Sequence, residues 1–144
     1  MPRYLDTSLL VAVLIREAGT PAAKTYLASR GAAPLLISRW AVTELSSALA
    51  LKVRTATIDA AEQAAALIMF RRFVTLRLQL VNIDPVDFEF AAGMSDYSAM
   101  PLRAGDALHL AVCKRLGTRL ATFDARMATA ANHHGVGTDF LKIP

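Results

Sequence analysis

At 144 residues and 54% hydrophobic side chains, the chain has the size and apolar content of one compact domain, 1–144, and its 7 Gly and 6 Pro are too few for a disordered or fibrous protein. A lone cysteine, Cys113, excludes an internal disulfide framework and suits a reducing compartment. The longest early apolar run, Leu9 to Ile15, falls far short of the ~20 residues of a membrane span and follows an acid rather than a basic leader, so a soluble, cytoplasmic protein is expected.

A net charge of +4 implies modest attraction to polyanions. Setting aside four of the 12 acids in one site turns that +4 into +8 over the remaining surface, a basic surround for an acidic pocket. The plainer reading is that Lys and Arg keep the surface soluble.

In chain order, Arg3-Tyr4-Leu5 reads as a buried strand ending at Asp6, and the Thr7 and Ser8 hydroxyls can cap a helix that runs to near Gly19. Thr20-Pro21 opens a second helix, to Gly31, with proline in its favoured first turn. Pro34 to Ser38 is a continuous apolar run, the signature of a parallel strand covered on both faces. Ser38 then caps a helix carrying Trp40, Glu44, Leu45, Leu49 and Val53. Thr57 opens a long helix, Ile58 to about Arg77; Leu78 to Ile83 is a third strand; Asp84-Pro85 begins a helix to about Asp96. A Pro101-containing loop leads to Gly105-Asp106, where the helical spacing of Leu108, Ala111, Val112 and Leu116 begins, and Gly117 stops that helix. Thr118 to Phe123 is a fourth strand ending at Asp124, Ala125 to His134 a short helix, and Val136 to Leu141 a final edge strand. Strands alternating with helices predict an α/β domain with a mostly parallel sheet, whose ligands bind beyond the carboxyl ends of the strands.

Four acids stand at such ends. Asp6 and Asp124 close the first and fourth strands; Glu44 lies two turns into the helix leaving strand two; Asp106 opens the helix returning toward strand four. If strands one and four are neighbours, the four face one another. Four carboxylates in one pocket repel without a cation, and oxygen-only ligation suits Mg²⁺ or Mn²⁺. Such a site activates water against a phosphodiester. Each acid also has an ordinary reading: Asp6, Asp106 and Asp124 as helix caps, Glu44 as an exposed helix glutamate. Asp59, Asp84, Asp87 and Asp96 occupy comparable places and are assigned no chemistry.

Leu5-Asp6-Thr7-Ser8, Val42-Thr43-Glu44-Leu45, Arg103-Ala104-Gly105-Asp106-Ala107-Leu108 and Leu120-Ala121-Thr122-Phe123-Asp124, in this order, resemble the PIN-domain ribonucleases. Within that family the likeness is to the VapC toxins of toxin–antitoxin pairs, and it covers essentially the whole chain. It implies a PIN-like (Rossmann-like) α/β/α sandwich around a central, mostly parallel sheet of four or five strands. It implies Mg²⁺- or Mn²⁺-dependent endonucleolytic cleavage of RNA, a homodimer, and a cognate VapB-like antitoxin that blocks the site. By motif match, Asp6, Glu44, Asp106 and Asp124 take the catalytic, metal-binding positions, with Ser8 and Thr122 as looser polar supports. One departure is Ala125-Arg126-Met127, where many relatives carry a further acid and an aromatic; it puts Arg126 beside the expected site. The rivals are a non-catalytic PIN-like RNA-binding or assembly module, and a phosphoaspartyl phosphatase, which wants a second Asp where this chain has Ser8.

Among other residues, Arg39, Arg103 and Arg126 flank the expected pocket and offer planar forks suited to phosphate, or solvated surface pairs. Lys52, Arg54, Arg71, Arg72 and Arg77 form an RNA track or a wet face. His109, three residues after Asp106, is a packing histidine or a donor to an acid; His133 and His134 read as surface. Trp40 reads as core or dimer surface, and Cys113 as a buried small side chain. The apolar stretches Leu9–Ile15 and Ile58–Phe73 predict extra core or an interface.

Overall fold

The computed structural model describes residues 1–144. In chain order the elements are β1 (Arg3–Leu5), α1 (Thr7–Leu14), α2 (Thr20–Ser29), β2 (Leu35–Ser38), α3 (Arg39–Arg54) and α4 (Ala60–Leu76). The second half runs β3 (Leu78–Val81), α5 (Pro85–Asp96), α6 (Ala104–Leu116), β4 (Arg119–Thr122), α7 (Ala125–His133) and β5 (Thr138–Phe140). The strands form one sheet in the order β3-β2-β1-β4-β5, and every neighbouring pair is parallel. The expected edge strand is therefore present, and the sheet is wholly parallel.

Side-chain alternation along these short strands builds two cores. Leu5, Leu35, Ile37 and Ala121 point to one face, against Leu9 and Leu10 of α1, Leu45 and Leu49 of α3 and Phe70 of α4. Their neighbours Tyr4, Leu36 and Leu120 point to the other, against Met94 of α5, Leu110 and Cys113 of α6 and Met127 of α7. The result is the α/β/α sandwich. All four residues of β2 are buried, which is why its sequence shows no polar alternation.

From β1 the chain winds outward through β2 and β3, then returns to β4 and winds the other way. The reversal falls between β1 and β4, where Leu5 is paired with Ala121 and Asp6 N donates to Ala121 O at 3.2 Å. A crevice opens at the carboxyl ends of two strands that part in this way. Asp6 follows β1 directly, and Asp124 lies two residues beyond β4.

Three boundaries differ from the sequence reading. First, α1 stops at Leu14 rather than near Gly19. The Thr20 hydroxyl, donating to Ala12 O at 2.7 Å and accepting from Glu17 N at 2.9 Å, folds the intervening residues into a turn. Second, α4 is capped by Asp59 in a reciprocal box with Glu62, not opened by Thr57. Thr57 N instead donates back to Lys52 O at 2.9 Å, in a turn that holds Ala56 at φ 58°. Third, α6 begins at Ala104 with Arg103 as its N-cap, so Asp106 lies inside the first turn and is not a cap.

Of the two apolar stretches, Leu9–Ile15 is extra core, buried except for the half-buried Val13. The other leaves Ile68 and Met69 exposed on α4, near-neighbours in chemistry to the exposed Phe88 and Phe90 of α5. Cys113 is fully buried. No helix is long and apolar enough to cross a membrane.

Candidate active site

Asp6 is the most buried of the four acids, 4% exposed. As N-cap of α1 its Oδ1 accepts from Leu9 N at 3.1 Å, and it also accepts from Ser8 Oγ at 2.6 Å. Its Oδ2 accepts from Thr122 Oγ1 at 2.5 Å. Burial pushes the Asp6 carboxyl above its ordinary value, against the pull of the Ser8, Thr122 and Leu9 hydrogen bonds. Ser8 and Thr122 thus stand where the motif match put its polar supports. Thr122 does more: its hydroxyl accepts from Asp124 N at 3.0 Å, tying the first and fourth acids together across β1 and β4. Ser8 and Thr7 do not cap α1; Asp6 does, and the hydroxyls serve carboxylates instead.

Asp124 is solvent-exposed and caps α7 with Oδ1 alone, which accepts from Arg126 N at 2.9 Å and Met127 N at 3.2 Å. Its Oδ2 has no partner. The cap reading and the ligand reading are therefore compatible, because one oxygen does the capping and the other is free.

Glu44 is not an exposed helix glutamate. Its side chain is 25% exposed, and its Oε1 accepts from Thr7 Oγ1 at 2.7 Å and from His109 Nε2. Burial opposes ionisation of Glu44, but the His109 and Thr7 bonds outweigh it and hold the carboxyl below its ordinary value. Oε2 lies against the first turn of α6, where a Cβ on Gly105 would stand 2.8 Å from it and 3.0 Å from Trp40 Nε1. Any larger residue at 105 would push Glu44 Oε2 out of this position. The buried Trp40 indole N–H has no partner of good hydrogen-bond geometry, but it stands beside Oε2 and helps hold the Glu44 carboxyl down.

Asp106 is half-buried in the first turn of α6 and its carboxylate makes no hydrogen bond. Burial pushes it above its ordinary value; the field of His109 pulls it down, and those of Asp124, Glu44 and Asp6 push it further up. The other three acids thus all act on Asp106. The four do not form a closed cage: no three Asp, Glu, His or Cys side chains stand close enough as arranged here to hold one ion. In kind, the donors suit a hard divalent cation. They are all oxygen, Glu44, Asp106 and Asp124 each keep a free oxygen, and mutual repulsion at Asp106 is what a cation would relieve.

Asp106 and Asp124 open into a cavity of about 930 Å³ whose wall combines Arg103 and Arg126 with the apolar Met100 and Met127. Glu44 lines a smaller neighbouring depression with Thr7 and Trp40. The departure at Ala125-Arg126 therefore places an exposed guanidinium beside the carboxylates. Arg39 is different: it donates to Asn82 Oδ1 at 2.6 Å beyond β3 and lines neither cavity. Asp59 caps α4, and the fully buried Asp87 takes a two-bond grip from Arg115 at 2.8 and 3.0 Å, so these two of the acids set aside in the sequence are structural. Thr7, Trp40 and Gly105 escaped the sequence reading as partners of Glu44; the spacing of His109 from Asp106 was the one local signal for this group.

The PIN-domain family profile matches residues 3–132. Over 137 residues the chain is 34% identical to ribonuclease VapC46 of Mycobacterium tuberculosis, covering 92% of each chain. Its fold matches that of VapBC2 from Rickettsia felis, bound to a promoter DNA fragment, with TM-score 0.73 and 12% identity over 99% of this chain and 100% of that one. It also matches M. tuberculosis VapC20, a sarcin-ricin loop cleaving toxin, with TM-score 0.70 and 17% identity over 89% and 94% of the two chains. With its parallel sheet, its β1/β4 crevice and its ordered acids, the chain belongs to the PIN-domain family, among the VapC-type nucleases.

Proposed function

We propose that residues 1–144 form one metal-dependent endoribonuclease domain, the toxin of a VapBC-like pair, with Asp6, Glu44, Asp106 and Asp124 holding Mg²⁺ or Mn²⁺. The observation that carries this reading is Asp106: an unpartnered, half-buried carboxylate under the combined field of three others at the crevice between β1 and β4. Likeness to a named ribonuclease supports the reaction class. A bound divalent ion would supply Lewis-acid charge at the phosphate and lower the pKa of an attacking water.

The protein's own part follows from the geometry. Ser8, Thr122 and Leu9 N fix the Asp6 carboxylate. The α7 cap fixes Asp124 with its second oxygen turned free. Arg103 and Arg126 at the cavity wall offer forked donors to the phosphates of a bound strand, while Met100 and Met127 offer an apolar surface to its bases. The neighbouring VapBC structures support a cognate VapB-like antitoxin as partner, and the exposed Ile68, Met69, Phe88 and Phe90 supply apolar surface for an antitoxin or a homodimer.

The test is cleavage of RNA in Mg²⁺ with and without a chelator. Chelation should abolish cleavage, and Asp106→Asn should lower it by roughly 100-fold or more while the protein still folds. Cleavage that persists in chelator and in Asp106→Asn would contradict the proposal. RNA binding without cleavage by the wild type would favour the non-catalytic module instead.

A further inference from the structure

One buried side chain in α6 has a place that packing alone does not explain. Ala107, Leu110, Ala111, Val112 and Cys113 are the buried residues around it, all apolar; His109, 1% exposed, is the polar exception. A leucine would fill such a position without needing partners. The imidazole instead has one at each nitrogen: Nδ1 meets the hydroxyl of the fully buried Tyr4 at 2.6 Å, and Nε2 meets Glu44 Oε1. A carboxylate only accepts, so Nε2 is the donor; toward the Tyr4 hydroxyl, Nδ1 accepts in the neutral ring and donates in the imidazolium. Burial pushes the Tyr4 phenol well above its ordinary pKa, so it meets the imidazole as a neutral hydroxyl. The three links lie on β1, α6 and α3, in a line from the strand that ends at Asp6 to the helix that carries Glu44.

We propose that His109 is a positioning residue: through its bond to Oε1 it holds the Glu44 carboxylate against the first turn of α6, the turn that carries Asp106, as a ligand for a divalent ion. This rests on the metal site proposed above. Gly105 and His109 are four apart on α6 and face the same way, so one helix face cradles both Glu44 oxygens while its first turn presents Asp106. Solvent does not reach His109, and Glu44 is the one acid to which it is hydrogen-bonded, so its direct hold on the site is through Glu44. Outer partners that orient a ligating carboxylate are worth roughly 10- to 100-fold in metal affinity.

The test is Mn²⁺ binding, read from the loss of the free-ion electron paramagnetic resonance signal, in wild type, His109→Leu and His109→Gln, and with each change repeated in Glu44→Gln. His109→Leu should weaken Mn²⁺ binding by roughly 10- to 100-fold, and His109→Gln, whose amide still reaches Oε1 as a donor, should stay within about threefold of wild type. In Glu44→Gln the leucine change should add nothing, because the residue through which His109 acts is no longer a carboxylate. Wild-type Mn²⁺ affinity in His109→Leu, or an undiminished loss in the Glu44→Gln background, overturns the positioning role and leaves the metal site intact. If the wild type binds no Mn²⁺, the metal site itself falls and the role of His109 falls with it. Should His109→Leu fail to fold, His109→Asn, whose shorter amide stops short of Oε1, takes its place with the same two outcomes.

Discussion

Single side chains in this protein carry two tasks by dividing their atoms. Asp124 caps α7 through Oδ1 and keeps Oδ2 free, and Thr122 donates to Asp6 while accepting from Asp124 N. Gly105 works by absence: a Cβ there would stand 2.8 Å from Glu44 Oε2, so any other residue forces that carboxylate to shift. Gly105→Ala should therefore reduce RNA cleavage severely by displacing Glu44. Any gain in helix propensity, up to roughly 1 kcal/mol, would be offset by that contact, so the melting temperature should move little. Full cleavage by Gly105→Ala would show that the position of Glu44 against α6 does not matter. Part of this was legible in the sequence. Asp6 and Asp124 announce themselves as strand-end acids, and Ser8 and Thr122 follow from their two-residue offsets. Of the Tyr4–His109–Glu44 chain only a His109 bond to an acid was legible; that the acid is Glu44 and that Tyr4 backs the ring was not, because those partners are 65 and 105 residues away.

Helix starts decide which acids are available for chemistry. Asp59 heads α4 in a capping box, its Oδ1 accepting from Glu62 N at 2.7 Å and its N–H donating to Glu62 Oε1 at 3.3 Å. Removing that cap with Asp59→Ala should cost about 1 kcal/mol, measured by denaturant unfolding, and leave cleavage unchanged. Asp106 is free for the opposite reason. The sequence Gly105-Asp106 reads as a cap signal, yet α6 starts two residues earlier at Ala104, behind an N-cap, Arg103, whose side chain makes no capping bond. Local chemistry does not mark that start; packing does, since α6 must lie against α5 and bury Ala107, His109 and Leu110 from its first turn onward. The same applies to α4, where the turn at Ala56, unmarked by glycine or proline, shifts the start past Thr57 to Asp59.

Across the molecule, the sheet order brings the ends of the chain to the site. β5 reaches the sheet only by pairing with β4, and it is fastened by Asp139. That carboxylate accepts from Arg3 Nε at 2.5 Å, Tyr26 OH at 2.6 Å and Arg119 Nε at 2.9 Å, joining β1, α2, β4 and β5. Burial opposes its ionisation, but the bonds from Tyr26, Arg3 and Arg119 prevail and pull the Asp139 pKa from 3.8 down to about 2. A depressed carboxylate stabilises the fold above its unfolded pKa and loses that effect as pH falls through the folded one. Asp139→Asn should therefore lower the melting temperature most at neutral pH, with the gap to wild type closing between about pH 4 and pH 2. A gap that stays constant over that range would mean the charge of Asp139 is not what fastens β5. The order of strands and helices was readable because each buried strand is short, apolar and followed by a helix start. The strand neighbours were not, since pairing β1 with both β2 and β4 is a choice of the whole chain.

The central claim is that residues 6, 44, 106 and 124, scattered over the chain, serve one divalent ion or ion pair at the β1/β4 crevice. The most direct measurement is anomalous diffraction from crystals of the protein soaked in Mn²⁺. The account predicts a Mn²⁺ peak at the mouth of that crevice, ligated by Asp106 and Asp124 and within ligand or one-water reach of Asp6 and Glu44. Mn²⁺ bound elsewhere, or a crevice that stays empty at concentrations supporting RNA cleavage, would contradict it.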